Sequence, residues 1–353
     1  MAMLNEKLRK IYDAAGAEAL FLESDFLRRY LTDFYSTDGF VLVTNEDCFF
    51  FADLRYFEAA EKKLKGSDIK VVEGGYRDAL AAAKPYRTLG IPYPFVSVSA
   101  LRLYEKEGHE TLDCMPAFKQ AMLIKSEEEI SRIQRACEIA EGAFQLLLPS
   151  LKEGMTESEV AALLEYNMRT LGAFGVSFDT ICAFGENGSV PHYETGSRKL
   201  KFGDPVLIDF GCKFEGYCSD ITRTFLFGDD RKHAEFKKLH AMVLMAHELV
   251  KERLVAGMTG RQADAIARGY LRTKGLAQYF THSLGHGVGL QIHEYPSLSP
   301  RSEDILENGM VFSDEPGIYL AGELGIRIED TVYLKDGKVV SFMKNTSRGC
   351  LIL

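Results

Sequence analysis

The sequence predicts an α+β protein of two domains: a smaller α/β layer domain over residues 1–122, then a larger domain over residues 123–353 with helices against a mostly antiparallel sheet. Three observations carry that reading. At 353 residues the chain is longer than one hydrophobic core ordinarily spans. Its first third alternates helical and strand-like segments. Near Met122–Ser126 the pattern changes to capping-boxed helices interleaved with β segments at hairpin spacing.

In chain order, Leu4–Ala15 reads as a helix and Ala19–Leu22 as a strand. Phe40–Thr44 and Cys48–Phe51 read as two strands joined at Asn45-Glu46-Asp47, Arg55–Lys65 as a helix, and Ile69–Val72 and Thr88–Ile91 as further strands. Ser126-Glu127-Glu128-Glu129 is a capping box, in which the N-cap hydroxyl and the N3 carboxylate each satisfy a backbone donor that a helix start leaves orphaned. The helix it opens carries an apolar stripe of Ile130, Ile133, Cys137, Ala140, Phe144 and Leu147. A second box, Thr156–Glu159, opens a helix that stops before Gly172. A third helix spans about Ala234–Leu254, and a fourth opens at Thr259 with Gln262 at N3 and ends near Gly275. Pro205–Gly211, Asp220–Phe227, Gly309–Asp314 and Ile326–Leu334 are the expected β segments of the second domain.

Composition narrows the function classes. A content of 46% hydrophobic and 26% charged residues is that of a soluble globular protein. A net charge of -9 argues against a partner read along a nucleic-acid backbone. No apolar run approaches the roughly 20 residues that span a bilayer. Met1–Lys10 lacks the apolar core of a secretory signal. A cytoplasmic protein with no membrane association is expected. Seven cysteines without a Cys-x-x-Cys pair do not make a disulfide framework, and Cys212 and Cys218 read as small buried residues.

The chemistry-bearing residues fall in four stretches. In Val206-Leu207-Ile208-Asp209-Phe210, strand alternation sets Leu207, Asp209 and Gly211 on one face. A carboxylate among such neighbours needs a cation, either a metal ion or an arginine such as Arg223. A hairpin would bring Asp220, eleven residues later, beside Asp209. In Thr281–Pro296, His282, His286 and His293 fall within twelve residues, and glycines on both sides of His286 permit close backbone approach. Neutral imidazole is a common ligand for borderline divalent metals. Glu315 in Asp314-Glu315-Pro316-Gly317, and Glu329 in Arg327-Ile328-Glu329, complete four carboxylates and one imidazole on β elements. Such a set suffices for two metal ions that share ligands, an arrangement suited to metal-assisted hydrolysis.

Asp-Phe-Gly followed by Gly-Tyr-Cys-Ser-Asp-Ile-Thr-Arg-Thr-Phe resembles the signature of the Xaa-Pro peptidases, meaning prolidase and aminopeptidase P. So do His-Ser-Leu-Gly-His-Gly-Val-Gly-Leu-Gln-Ile-His-Glu, Glu-Pro-Gly-Ile-Tyr and Arg-Ile-Glu-Asp, in the family's order along essentially the whole chain. The resemblance implies a creatinase-like pita-bread domain behind the smaller α/β domain. It also implies a dinuclear centre of manganese, cobalt or zinc on Asp209, Asp220, His286, Glu315 and Glu329. The family's substrate-side histidines match His192, His282 and His293. On this reading Glu315 passes a proton towards the leaving nitrogen, His293 donates to the developing oxyanion, and His282 and His192 position a peptide with proline second. Arg327 orients Glu329 or the substrate, or serves an ordinary salt bridge. Tyr319 assists proton transfer or is a core residue. Arg301 binds the carboxylate of a C-terminal proline, or pairs with Glu303 or Asp304.

The short leading domain favours an Xaa-Pro dipeptidase over an aminopeptidase P that releases the N-terminal residue of longer peptides. A non-catalytic scaffold of the same fold is the rival from another class. A homodimer is implied by resemblance, with Tyr30–Tyr35 expected to border the partner's pocket. Two departures stand out. Ser313-Asp314 replaces the usual Thr plus aliphatic residue, and Asp33 stands where Gly is frequent. Neither is expected to touch a ligand. Asp229, just past a strand end, is expected to be solvated.

Overall fold

The computed structural model describes residues 4–228 and 233–353, so Asp229 lies outside the described residues. The chain divides into two units, Met1–Met122 and Leu123–Leu353. In the first, strands β1 (Ala19–Leu22), β2 (Phe40–Thr44), β3 (Cys48–Ala52), β4 (Ile69–Glu73), β5 (Thr88–Ile91) and β6 (Glu110–Asp113) stand in the order β4-β3-β2-β1-β5-β6. β1, β2 and β3 pair antiparallel, while β4, β5 and β6 add in parallel. Parallel neighbours need a crossover, which the helices Phe57–Leu64 and Val98–Lys106 supply for β3–β4 and β5–β6. Phe21 of β1 meets Tyr104 edge-on, with ring centroids 5.6 Å apart, in a core that Ala79 and Ala83 complete.

Several elements of this unit were not expected from sequence. Helices Asp25–Thr32, Tyr76–Ala83, Val98–Lys106 and Met115–Leu123 are only 8 to 9 residues long, too short for apolar periodicity to stand out. β6 is a largely exposed edge strand, Glu-Thr-Leu-Asp, without hydrophobic alternation. Asp33 caps the helix Asp25–Thr32 in a left-handed conformation with φ 50° and forms an ion pair with Lys63 at 2.9 Å. Glycine adopts that conformation freely, and Asp is one of the few other residues that tolerate it.

The second unit is built on an eight-stranded antiparallel sheet. Along it run Glu294–Leu298, Gly285–Gly287, Val311–Asp314, Glu329–Lys335, Ile221–Phe227, Asp204–Phe210 and Ile181–Phe184, with Lys338–Ser341 also pairing Glu329–Lys335. The helix Glu127–Leu147 opens on the expected reciprocal cap of Ser126 and Glu129. Its Phe144 stacks on Phe210, with ring centroids 5.4 Å apart. Because side chains alternate along a strand, that contact turns Asp209 away from the helix.

Two local expectations need correction. Asp209 and Asp220 are not joined by a simple turn. The hairpin Cys212–Phe214/Tyr217–Cys218 lies between them and belongs to a separate sheet with Gly175–Val176. Register then sets Thr222 opposite Asp209, and Asp220 falls diagonal to it. Nor is Ile326–Leu334 one strand. Leu324–Arg327 pairs with Gly317–Leu320, whereas Glu329–Lys335 joins the large sheet. At the switch Ile328 N–H donates to Pro316 O and Arg327 N–H to Thr224 Oγ1, so both backbone donors stay satisfied across the break. Among the described residues no helix is long and apolar enough to cross a membrane.

Candidate metal centre

Five strands of the large sheet or their ends bring Asp209, Asp220, His286, Glu315 and Glu329 to the foot of one cavity of about 430 Å³. Ligand-capable atoms of Asp220, His286 and Glu329 all lie within 4.8 Å of one another. His286 sits between strands pressed too close for any side chain at its neighbours. A Cβ on Gly285 would collide with Ser313 O, and one on Gly287 with Tyr295 O. Close approach is therefore what these two glycines supply.

The electrostatics of the cluster call for cations. Burial, then the charges of Glu329, Asp209 and Glu315, push the Asp220 carboxyl well above the usual range. Burial with Glu315 and Asp209 does the same to Glu329, and burial foremost pushes Glu315 up to about 8. His286 Nδ1 lies 3.1 Å from Gly287 O and so carries the ring proton there. Its Nε2 then presents a lone pair to Asp220 Oδ2 at 3.5 Å and Glu315 Oε1 at 3.4 Å. A lone pair facing two carboxylate oxygens is repulsive unless a cation lies between them. Asp209 Oδ1 is buried and has no hydrogen-bond partner among the described residues. The donor set, oxygen-rich with one imidazole, fits divalent ions.

One buried guanidinium organises the set. Arg327 donates through a terminal N–H to Asp209 Oδ2 in a short contact, through Nε to Thr222 Oγ1 at 3.0 Å, and through its other terminal nitrogen to Tyr319 OH at 2.7 Å. Thr222 in turn donates to Glu329 Oε2 at 2.5 Å. Of the roles open for Arg327, the geometry shows it bonded to Asp209 and linked to Glu329 only through Thr222. Arg223 pairs with Asp330 at 2.9 Å, not with Asp209. Tyr319 is buried behind the cavity, where its hydroxyl accepts from Arg327 and donates to His282 Nε2 at 2.9 Å. His282 also donates from Nδ1 to Ser283 O at 2.8 Å, so both of its ring nitrogens have protein partners.

His192, His282 and His293 all line the cavity, and the His293 ring lies 4.2 Å from that of His286. The segment carrying His192 is tied down by buried Glu157, the first residue of the second capping-boxed helix. Its carboxylate accepts from Phe184 N, Asn187 Nδ2 and Tyr193 OH at 2.8–2.9 Å. Arg301 is not brought to this site. It is exposed and outside the cavity lining. Its expected partners are engaged elsewhere: Glu303 pairs with Arg261 at 3.1 Å and Asp304 accepts from Ser297 N at 3.0 Å.

Sequence reasoning missed Thr222, Ser313 and Glu157. Alternation from Asp220 through Thr222 was the available signal for the first. The expectation that the Ser313-Asp314 departure leaves the ligands untouched was wrong for Ser313. Its hydroxyl donates to Glu315 Oε1 at 3.0 Å and accepts from His286 N at 3.1 Å.

Residues 131–336 match metallopeptidase family M24, and residues 5–121 match the creatinase/prolidase N-terminal domain. The chain is 34% identical to the Xaa-Pro dipeptidase of Pyrococcus horikoshii over 344 residues, covering 95% of each chain. Among solved structures, an Xaa-Pro dipeptidase from Bacillus anthracis superposes with a TM-score of 0.92 at 36% identity, over 99% of this chain and 98% of that one. An X-Pro aminopeptidase from Thermotoga maritima does so with a TM-score of 0.90 at 34% identity, over 97% and 99%. The chain thus belongs to metallopeptidase family M24, with the pita-bread fold of that family behind a creatinase/prolidase N-terminal domain.

Proposed function

We propose that this chain is a dinuclear-metal peptidase that hydrolyses the bond before proline, in Xaa-Pro dipeptides. The observation that carries the reading is the buried set of four carboxylates and one imidazole at the foot of a cavity walled by three further histidines. Asp209, Asp220, His286, Glu315 and Glu329 would hold the two ions, with manganese, cobalt or zinc as candidates for such donors. When bound, the ions supply Lewis-acid polarisation of the substrate carbonyl and an acidified water.

The chain's own residues do the rest. Arg327 and Thr222 fix the Asp209 and Glu329 carboxylates by hydrogen bonds. Ser313 holds Glu315 Oε1, which leaves Oε2 to carry a proton towards the leaving nitrogen. His293 donates an N–H to the oxygen that gains charge, and His192, which lines the same cavity, positions the substrate. His282, engaged by Tyr319 and Ser283, shapes the wall and orders Tyr319.

His293→Ala is expected to lower kcat by about 10²–10³-fold with little change in KM, as loss of one oxyanion donor typically does. A change confined to KM would make His293 a ground-state contact instead.

One observation favours a second reading, an aminopeptidase that takes longer peptides. Among the described residues no lysine lines the cavity, and its one arginine, Arg327, is committed to Asp209, Thr222 and Tyr319. A dipeptide's terminal carboxylate needs a cation, because burying it unpaired costs several kcal/mol. Comparing kcat/KM on Xaa-Pro and Xaa-Pro-Xaa substrates decides. Faster cleavage of dipeptides supports the dipeptidase, and faster cleavage of tripeptides supports the aminopeptidase. Arg301→Ala locates the carboxylate: a KM increase confined to dipeptides would assign it to Arg301 despite that residue's exposed position. A homodimer is proposed on family resemblance, and a fully active monomer in light scattering would contradict it.

A further inference from the structure

The Ser313-Asp314 departure has a second half that the reaction does not use. Asp314 ends the strand Val311–Asp314 and sits directly opposite Asp330 on Glu329–Lys335. Both side chains are wholly buried. Like charges facing each other across a strand pair destabilise it, and these two residues immediately precede Glu315 and follow Glu329. Asp330 has other support: Arg223 at 2.9 Å, Arg348 Nε at 2.6 Å and Ser341 Oγ at 2.7 Å. Among the described residues neither carboxylate oxygen of Asp314 accepts a hydrogen bond of good geometry, and its one ion-pair contact is His247.

What faces Asp314 is His247, fully buried on the helix Ala234–Arg253. Its Nδ1 lies 3.2 Å from Asp314 O, to which the N–H points, and 3.0 Å from Asp314 Oδ2 beside it. Its Nε2 lies 3.6 Å from Asp330 Oδ2. The imidazole therefore stands between the two carboxylates, one on each ligand-bearing strand. Burial opposes its charge, but the two aspartates outweigh burial and push its pKa up to about 9.

We propose that His247 is a positioning residue for the metal centre, clamping Asp314 to Asp330 so that the adjoining Glu315 and Glu329 hold their places. An imidazole at this point offsets two negative charges at once, through a hydrogen bond to the Asp314 strand and an ion-pair contact of 3.6 Å with Asp330. Groups that orient metal ligands from one shell out typically change metal affinity by about 10–100-fold when lost. The inference rests on the assignment of Glu315 and Glu329 as metal ligands.

Manganese affinity tests it, measured by calorimetric titration of metal-stripped full-length protein, alongside thermal melting of the metal-free form. His247→Leu should bind manganese at least about tenfold more weakly than the unaltered chain, in the range expected for lost outer-shell support. Asp314→Leu, which removes the charge that His247 offsets, should rescue it. The double variant is expected within about threefold of the Asp314→Leu variant. A folded His247→Leu variant with unaltered affinity would overturn the proposal, as would a double variant about tenfold weaker than Asp314→Leu alone. If His247→Leu does not fold, the comparison of the double variant with Asp314→Leu decides by itself. A chain that binds no manganese, cobalt or zinc before any substitution would overturn the metal assignment as well, which separates the two failures.

Discussion

Removing divalent metal should abolish hydrolysis of an Xaa-Pro substrate, and manganese or cobalt should restore it. The metal-free cluster has four carboxylates and one imidazole against a single guanidinium, and it offers no strong nucleophile for an amide. Lewis-acid polarisation supplies several kcal/mol of transition-state stabilisation, so the expected loss is at least about 10³-fold in kcat. Stability should respond too. Glu315 is shifted from an unfolded value of about 4.3 up to about 8 in the metal-free fold. A carboxyl raised in this way contributes stability that is full below its unfolded pKa and lost as pH rises through the folded value. Buried His240, His282 and His286 are pushed down to about 4, about 3 and about 4, and such groups add stability as pH rises to their unfolded value of about 6.5. Metal-free protein should therefore melt progressively lower between about pH 6.5 and pH 8, and added metal should remove that trend. Full activity in rigorously metal-free protein, or a metal-free melting temperature that climbs across the same window, would contradict this account.

Sequence made part of the metal-ligand set legible through strand alternation and a local glycine pattern, while Asp220 entered through an expected hairpin and the full set of five through the resemblance to the Xaa-Pro peptidases. Asp209 could be placed on one strand face from Val206–Phe210 alone. His286 could be given close backbone approach from the glycines beside it, and Ser313 O and Tyr295 O are the atoms that come close. What could not be read is what register and side-chain reach decide. Arg327 was seen near Glu329 in sequence, yet its guanidinium bonds to Asp209, more than a hundred residues away, and reaches Glu329 only through Thr222. Arg301 lies in sequence between His293 and Glu315, but its loop faces solvent and not the cavity. The fold divides in the same manner. Long, capped helices such as Glu127–Leu147 announce themselves. Of the helices of 8 to 9 residues in the first unit, only Phe57–Leu64 was expected; Asp25–Thr32, Tyr76–Ala83 and Val98–Lys106 were not, because tertiary packing rather than periodicity decides them.

Asp209→Asn should separate function from stability. The Asp209 side chain has two oxygens with different tasks. Oδ2 accepts from Arg327, while Oδ1 is buried and has no partner among the described residues. An asparagine has one oxygen to offer. If that oxygen faces Arg327, the NH₂ group takes the other position and cannot ligate a cation. If the amide is flipped, two donors confront each other at Arg327. The first orientation wins, so the Arg327 hydrogen bond survives and the metal-ligand position is lost. Activity should fall at least about 10²-fold in kcat/KM, equivalent to roughly 2.7 kcal/mol of lost transition-state stabilisation. The metal-free fold should not suffer. Asp209 is among the like charges that raise the Asp220, Glu315 and Glu329 carboxyls, and neutralising it relieves that repulsion. Melting of the metal-free variant at neutral pH is expected at or above the temperature of the unaltered protein, as when strain kept for function is released. A variant that keeps more than a tenth of its activity would show that Asp209 is no ligand. A large fall in metal-free melting temperature would show instead that its main task is to neutralise Arg327.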